Sequence, residues 1–361
     1  MRTGDADEGC SGLRRVELTD PGITRIRRGR GFQYRGADGG PIAGRADLAR
    51  LRALAVPPAW TEVWICTDAD GHIQAVGTDA AGRRQYLYHD RWREARDRAK
   101  FDRVLRLARR LPAVREEVAR RLGAGGGLRP DRVLAGALRM LELGAFRVGG
   151  DQYAPDDDSD GEAEGSFGLA TLRLEHVRRV RGEVRVSYPA KGGVQREIAL
   201  RDPQLHRLVG SLLRRRGAAP EQDLLVYRNG RGWHDVRAED VNGYLKQLAG
   251  DEFTAKDLRT WNATVLAAVS LAGADPDRAR TARGRKRVLT ASYREVAEHL
   301  GNTPTVARQS YVDPRVAGAF ELGRTVERAV RRAARTAATT EETRAIIEPA
   351  VIRLLRRSST G

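Results

Sequence analysis

The sequence predicts an α+β protein, with a small N-terminal antiparallel β-sheet domain and a larger, mainly α-helical domain that carries a three-stranded β-sheet. Three patterns carry that prediction. The first ninety or so residues alternate short β-like runs with Gly and Asp turns, as in "GFQYRGADGG" and "VWICTDADGHIQAVGTDAAGRRQYLYH". The segment Arg91 to Leu122 then switches to a helical recurrence of Leu and Val among Arg and Glu. Further on, three runs with strand character interrupt an otherwise helical chain.

Taken in order, Asp70-Gly71 and Ala81-Gly82 stand where hairpin turns are expected in the N-terminal sheet. After the long helix, the glycine-rich break Gly123 to Gly127 precedes a second helix over Asp131 to Ala145 that ends in "FRVGGDQY". The three strands read "FGLATLRLEHVRRV", "GEVRVSYPA" and "VQREIAL", with alternation clearest at Val184, Val186 and Tyr188, and Lys191 on a hairpin tip. From Pro203 onward the chain reads as mostly helical. A helix is expected to begin at Thr254, whose spacing to Asp257 is that of a capping box. Its Leu258, Trp261, Val265 and Val269 should face the core, with Arg259 off that stripe in the first turn. The expected domains are 1–95, 96–318 and a basic helical tail, 319–361.

With 65 Lys+Arg against 48 Asp+Glu, the net charge is +17, so a polyanionic partner is favoured and nucleic acid leads. A membrane partner is not expected, because the apolar run around Val265 is too short to span a bilayer. The N-terminus lacks the order of a signal peptide, and Cys10 and Cys66 show no metal or disulfide spacing, so a cytoplasmic location is expected. No cofactor is expected: the Gly-rich stretches lack the Lys-Ser/Thr of a phosphate-binding loop, and the six histidines are scattered. The acidic run Asp156 to Gly161 begins like a calcium loop but has Phe167 where a bidentate Glu is required, and reads as a solvated loop.

Only five of the 65 basic residues are lysines, namely Lys100, Lys191, Lys246, Lys256 and Lys286. An ammonium can donate a proton near neutral pH where a guanidinium cannot. On its own segment Arg259 reads as an exposed arginine. Counted together with Lys191, with Arg147 in "FRVGG" and with Tyr311 after a Gly-Asn-Thr-Pro break, it belongs to a set suited to phosphoryl transfer onto a tyrosine. Two arginines can grip phosphate oxygens, a lysine can protonate the departing oxygen, and a tyrosine can form a covalent intermediate.

At these motifs the chain resembles the poxvirus-like bacterial DNA topoisomerases of type IB. "PPAW", "GRRQYLYH" and "RWREARDRAKF" are similar to the family's DNA-clamping domain; "FRVGGDQY", "GSFGLATLRLEHV", "YPAKGG", "AKDLRTW" and "LGNTPTVARQSYVDPRV" are similar to its catalytic domain. The resemblance implies the tyrosine recombinase/topoisomerase IB catalytic fold, and a monomer that clamps duplex DNA and relaxes supercoils of both signs without ATP or metal. By motif, Tyr311 would be the nucleophile that becomes joined to the 3′ phosphate. Arg147 and Arg259 would hold the scissile phosphate, and Lys191 would be the acid to the 5′ oxygen. Asn302 stands where many relatives carry histidine, and Lys256 would assist. Gln85, Tyr86 and Tyr88 would face the DNA major groove, though sheet packing is the alternative for the tyrosines, and Tyr153 would lie near the DNA backbone. A nucleoid-associated enzyme follows. Two rivals remain at this point: a tyrosine recombinase, against which Lys256-x-x-Arg259 replaces the usual His-x-x-Arg, and a DNA-binding protein that has lost its chemistry.

Overall fold

Alternation and turns in the N-terminal region produce a single five-stranded antiparallel sheet. The computed structural model describes residues 12–149, 166–190, 193–215, 217, 219–230 and 232–357. The chain folds as two compact units, Met1–Asp102 and Arg103–Gly361.

In the first unit the strands are β1 (Gly22–Arg28), β2 (Gly31–Arg35), β3 (Thr61–Cys66), β4 (Ile73–Thr78) and β5 (Arg84–Tyr88), in the order β2-β1-β3-β4-β5. Ile23 pairs with Ile65, and Ile65 with Ala75, so one face presents an apolar row. Helix α1 (Arg45–Ala53) adds Leu51 to that small core. Both expected turns occur. Gly71 lies in the β3–β4 connection, where a Cβ would meet the Cys66 Sγ at 2.5 Å. In the β4–β5 turn the Asp79 carboxylate accepts from the backbone N–H groups of Ala81 and Arg83, each at 2.9 Å, and Gly82 takes φ +72. Arg25 ties the "PPAW" loop to the sheet by donating to the carbonyls of Val56, Pro57 and Trp60 at 2.7, 2.8 and 2.9 Å.

Helix α2 (Asp90–Gly123) matches the expected helical run. In the second unit it is followed by α3 (Pro130–Gly144) and by the sheet β6 (Val177–Val180), β7 (Glu183–Ala190) and β8 (Val194–Leu200), in that order. Val184, Val186, Tyr188 and Ala190 bury alternate positions of β7. Then come α4 (Pro203–Leu213), a hairpin of β9 (Val226–Asn229) and β10 (Gly232–Asp235), α5 (Ala238–Ala249), α6 (Ala255–Ala272) and α7 (Ala282–Leu300). A single turn, α8 (Pro304–Val306), leads into α9 (Pro314–Glu321), α10 (Glu327–Thr336) and α11 (Thr340–Arg357). Among the described residues no helix is long and apolar enough to cross a membrane.

Two local expectations change. The first half of "FGLATLRLEHVRRV" is not strand but two short 3₁₀ turns, Leu169–Thr171 and Leu174–His176. Leu169, Leu172 and Leu174 are all buried, which an alternating strand does not allow. Their backbone groups bond elsewhere: Leu169 N–H donates to the Arg147 carbonyl at 2.8 Å, and Leu174 N–H to that of Gln222 at 2.9 Å. The β9–β10 hairpin also interrupts what reads as a helical region.

The basic C-terminal helices pack as part of the second unit. Ile347, Val351 and Leu355 of α11 are buried in the main core. Beside them Glu348 takes a two-pronged bond from Arg115 of α2, at 2.7 and 2.8 Å. Arg115 also bonds Glu142 of α3, which Arg344 of α11 approaches at 3.1 Å. Burial opposes ionisation of Glu142, but Arg344, Arg115 and Arg139 outweigh it and hold that carboxyl below its ordinary range. Removing one partner of such a network leaves an uncompensated buried charge. Glu348→Ala is therefore expected to cost about 3–5 kcal/mol in chemical denaturation, and a loss below about 1 kcal/mol would show that α11 is only loosely attached.

Candidate active site

Helix α6 begins as its capping pattern requires. The Asp257 carboxylate accepts from Thr254 N–H at 2.9 Å and from Thr254 Oγ1 at 3.0 Å, and Arg103 clamps it from outside at 2.8 Å. Leu258 and Trp261 are buried as expected, with Val265 and Val269 partly buried against the same core. Arg259 is not the exposed arginine that its segment suggests; it is 4% exposed. Its guanidinium donates to the carbonyls of Ala145 and Leu300, the C-terminal ends of α3 and α7. Those carbonyls have no helical partner and carry the negative end of each helix dipole, so a cation is well placed between them. Burial pushes the guanidinium down to about 10, against the opposing effect of Tyr311, and leaves it charged at neutral pH.

Arg147 comes three residues after the end of α3. Its neighbour Phe146 stacks on Tyr188 with ring centroids 5.8 Å apart, and its carbonyl accepts from Leu169. Two residues on, Gly149 at φ +87 passes so close to Gly168 that a Cβ on Gly168 would sit 2.4 Å from the Gly149 Cα. Glycine is required at this crossing of "FRVGG" with "SFGLA". The Arg147 side chain reaches across to donate to Asn302 Oδ1, 155 positions later.

Asn302 is presented by the end of α7. Gly301 takes φ +62 as the left-handed cap, and Asn302 N–H returns to the Ala297 carbonyl at 2.9 Å. With Oδ1 taken by Arg147, Asn302 Nδ2 is buried with no hydrogen-bond partner among the described residues. A buried donor left unpaired is costly, and an incoming anion would satisfy it. Nine residues on, Tyr311 ends a π-helical turn, Ala307–Tyr311, closed by Val312 N–H to the Ala307 carbonyl at 2.9 Å. Thr264 of α6 brackets it: its hydroxyl donates to the Tyr311 carbonyl at 3.3 Å and accepts from Asp313 N–H at 3.2 Å. The Arg259 Cζ lies 5.3 Å from the Tyr311 ring centroid.

The fold thus brings together Arg147, Arg259, Asn302 and Tyr311. Lys256 is exposed in the first turn of α6, three residues before Arg259. Lys191 and Tyr153 lie outside the described residues, as does the acidic run Asp156 to Gly161. In the first unit Tyr86 and Tyr88 are each 39% exposed and stack with centroids 5.9 Å apart. Gln85 lies on the opposite face of β5, its amide donating to Asp79 at 2.9 Å. One residue of the site escaped the motif reading. Arg196, 9% exposed on β8, lies under the Gly301 turn; its signal was an arginine on the inward row Arg196, Ile198, Leu200.

Comparison with known proteins identifies the family. A family model described as the eukaryotic DNA topoisomerase I catalytic core matches residues 89–330, and one for the bacterial DNA topoisomerase IB N-terminal domain matches residues 31–79. The chain is also 28% identical over 295 residues to "DNA topoisomerase 1B" of Acanthamoeba polyphaga mimivirus, covering 81% of this chain and 85% of the relative. Since the catalytic-core match extends over more than half of the chain, the protein belongs to the type IB DNA topoisomerase family.

Proposed function

We propose that this topoisomerase cuts one strand of duplex DNA with Tyr311 and reseals it after rotation, with Arg147, Arg259 and Asn302 gripping the scissile phosphate. The observation that carries the reading is the unpaired Asn302 Nδ2, buried beside two arginines and the segment of the tyrosine. In cleavage the Tyr311 Oη–P bond forms and the P–O5′ bond breaks. The 5′ oxygen takes its proton from Lys191, and the phenolic proton passes to solvent. The bond energy stays in the 3′ phosphotyrosine, so religation needs no ATP or metal. Charge that builds on the nonbridging oxygens is offset by donors already in place, which need little reorganisation. Lys256 would make a secondary phosphate contact, while Tyr86, Tyr88 and Tyr153 would contact the duplex; Gln85, expected beside them from the motif, lies on the other face of β5 and bonds Asp79 instead.

A monomer at the nucleoid fits the charge of +17. Binding that depends on phosphate contacts weakens steeply with salt. The direct test is relaxation of positively and negatively supercoiled plasmid in EDTA without ATP. Relaxation of both signs supports the reading, whereas a strict need for paired sites would favour a recombinase. Lys191→Ala is expected to slow cleavage by roughly 10²–10⁴-fold. A substrate whose 5′ bridging oxygen is replaced by a better leaving group should restore the rate, and failure of that rescue would remove Lys191 from the acid role.

A further inference from the structure

Three guanidiniums, not two, converge on the end of α7. Arg196 sits opposite Tyr188 in the β7–β8 register. It donates to the His299 carbonyl at 2.8 Å and to the Leu300 carbonyl at 3.4 Å. The Leu300 carbonyl also accepts from Arg259, so one oxygen couples the two arginines. Gly301 rests on the Arg196 stem, where a Cβ would meet Arg196 Cδ at 2.9 Å. Arg196 therefore supports the left-handed residue that delivers Asn302.

Among the described residues the hydrogen-bond partners of the three arginines are neutral: Asn302 Oδ1 for Arg147, the Ala145 and Leu300 carbonyls and the Tyr311 phenol for Arg259, and the His299 and Leu300 carbonyls and the Tyr188 phenol for Arg196. Tyr188, 1% exposed, feels Arg196, Arg259 and Arg147 together, and burial and then Arg196 and Arg259 push His299 below its ordinary value. An apolar side chain in the row of Ile198 and Leu200 would avoid the desolvation cost of this cation. Among the described residues no carboxylate bonds any of these three arginines, and such a cluster of cations is suited to an anion that arrives from outside.

We propose that Arg196 is a positioning residue for strand cleavage. It holds residues 299–302 so that Asn302 Nδ2 and Arg259 meet the scissile phosphate, and it adds a third positive charge to the field that phosphate enters. The inference rests on the reading of Tyr311, Arg147, Arg259 and Asn302 given above.

The test is single-turnover cleavage of a duplex by wild type, Arg196→Met and Arg196→Lys, with Tyr311→Phe as the blank and DNA affinity measured in parallel. Each enzyme is also given a duplex whose scissile phosphate is replaced by a neutral methylphosphonate. Arg196→Met should cleave the ordinary duplex about 10²-fold more slowly at nearly unchanged affinity, and Arg196→Lys should recover part of the loss. On the methylphosphonate the deficit should shrink by about tenfold or more, since the charge that Arg196 opposes is gone. A merely structural defect would be equally severe on both substrates, and that result, or wild-type cleavage by Arg196→Met, overturns the inference. Should Arg196→Met fail to fold, Arg196→Lys on the two substrates decides by the same comparison. Cleavage by Tyr311→Phe would instead overturn the site reading, and this inference with it.

Discussion

Tyr311→Phe should bind supercoiled plasmid as tightly as wild type and relax none of it, with the covalent protein–DNA adduct absent from denaturing gels. The substitution removes one oxygen and little else. The ring keeps its place 5.3 Å from Arg259, and the backbone clasp by Thr264 involves only the Tyr311 carbonyl and the Asp313 N–H. Stability should therefore change by no more than about 1 kcal/mol. The rate should fall by at least about 10⁵-fold, because the phenol oxygen that would bond to phosphorus is gone. Residual relaxation above roughly a thousandth of wild type would place the nucleophile elsewhere.

The second large effect is expected at Arg259. Arg259→Lys keeps a positive charge but loses the planar fork that spans the carbonyls of Ala145 and Leu300. A single ammonium cannot bond both helix ends and also reach a phosphate oxygen with two parallel donors. Cleavage should drop by about 10²–10³-fold while the affinity for duplex changes only a few-fold. Arg259→Ala should lose more activity and, with the Ala145 carbonyl losing its donor and the Leu300 carbonyl left to Arg196 alone, about 1–3 kcal/mol of stability. The two readouts separate the roles: a variant that binds DNA and melts normally but cleaves slowly has lost the grip on the transition state. If Arg259→Lys cleaved at the wild-type rate, bidentate gripping would be excluded.

The order of the motifs, and so the family, was legible from the chain. So were the elements that depend on near neighbours. The capping of α6 by Thr254 and Asp257 acts over three residues, and the turn at Asp79 and Gly82 over four. The five-stranded sheet was legible because apolar alternation and turn residues specify hairpins locally. What failed was short or long-range. Residues 166–176 contain strand-like alternation, yet their backbone bonds run to Arg147, Val148 and Gln222, partners that no local window contains. Charge alone could not say whether the last helix packs into the core; Ile347, Val351, Leu355 and the Glu348–Arg115 pair show that α11 does.

The same division runs through the site. By itself the sequence singled out the side chains proposed to carry the chemistry, since motif identity resides in the residues and their spacing. Only the tertiary structure decided that Arg259 is buried between two helix ends, that Arg147 bonds an amide 155 positions away, and that Arg196 joins them. Hydrophobic periodicity reports the face that apolar residues bury. It is silent on a cation that enters the core because distant carbonyls supply the hydrogen bonds water would otherwise provide.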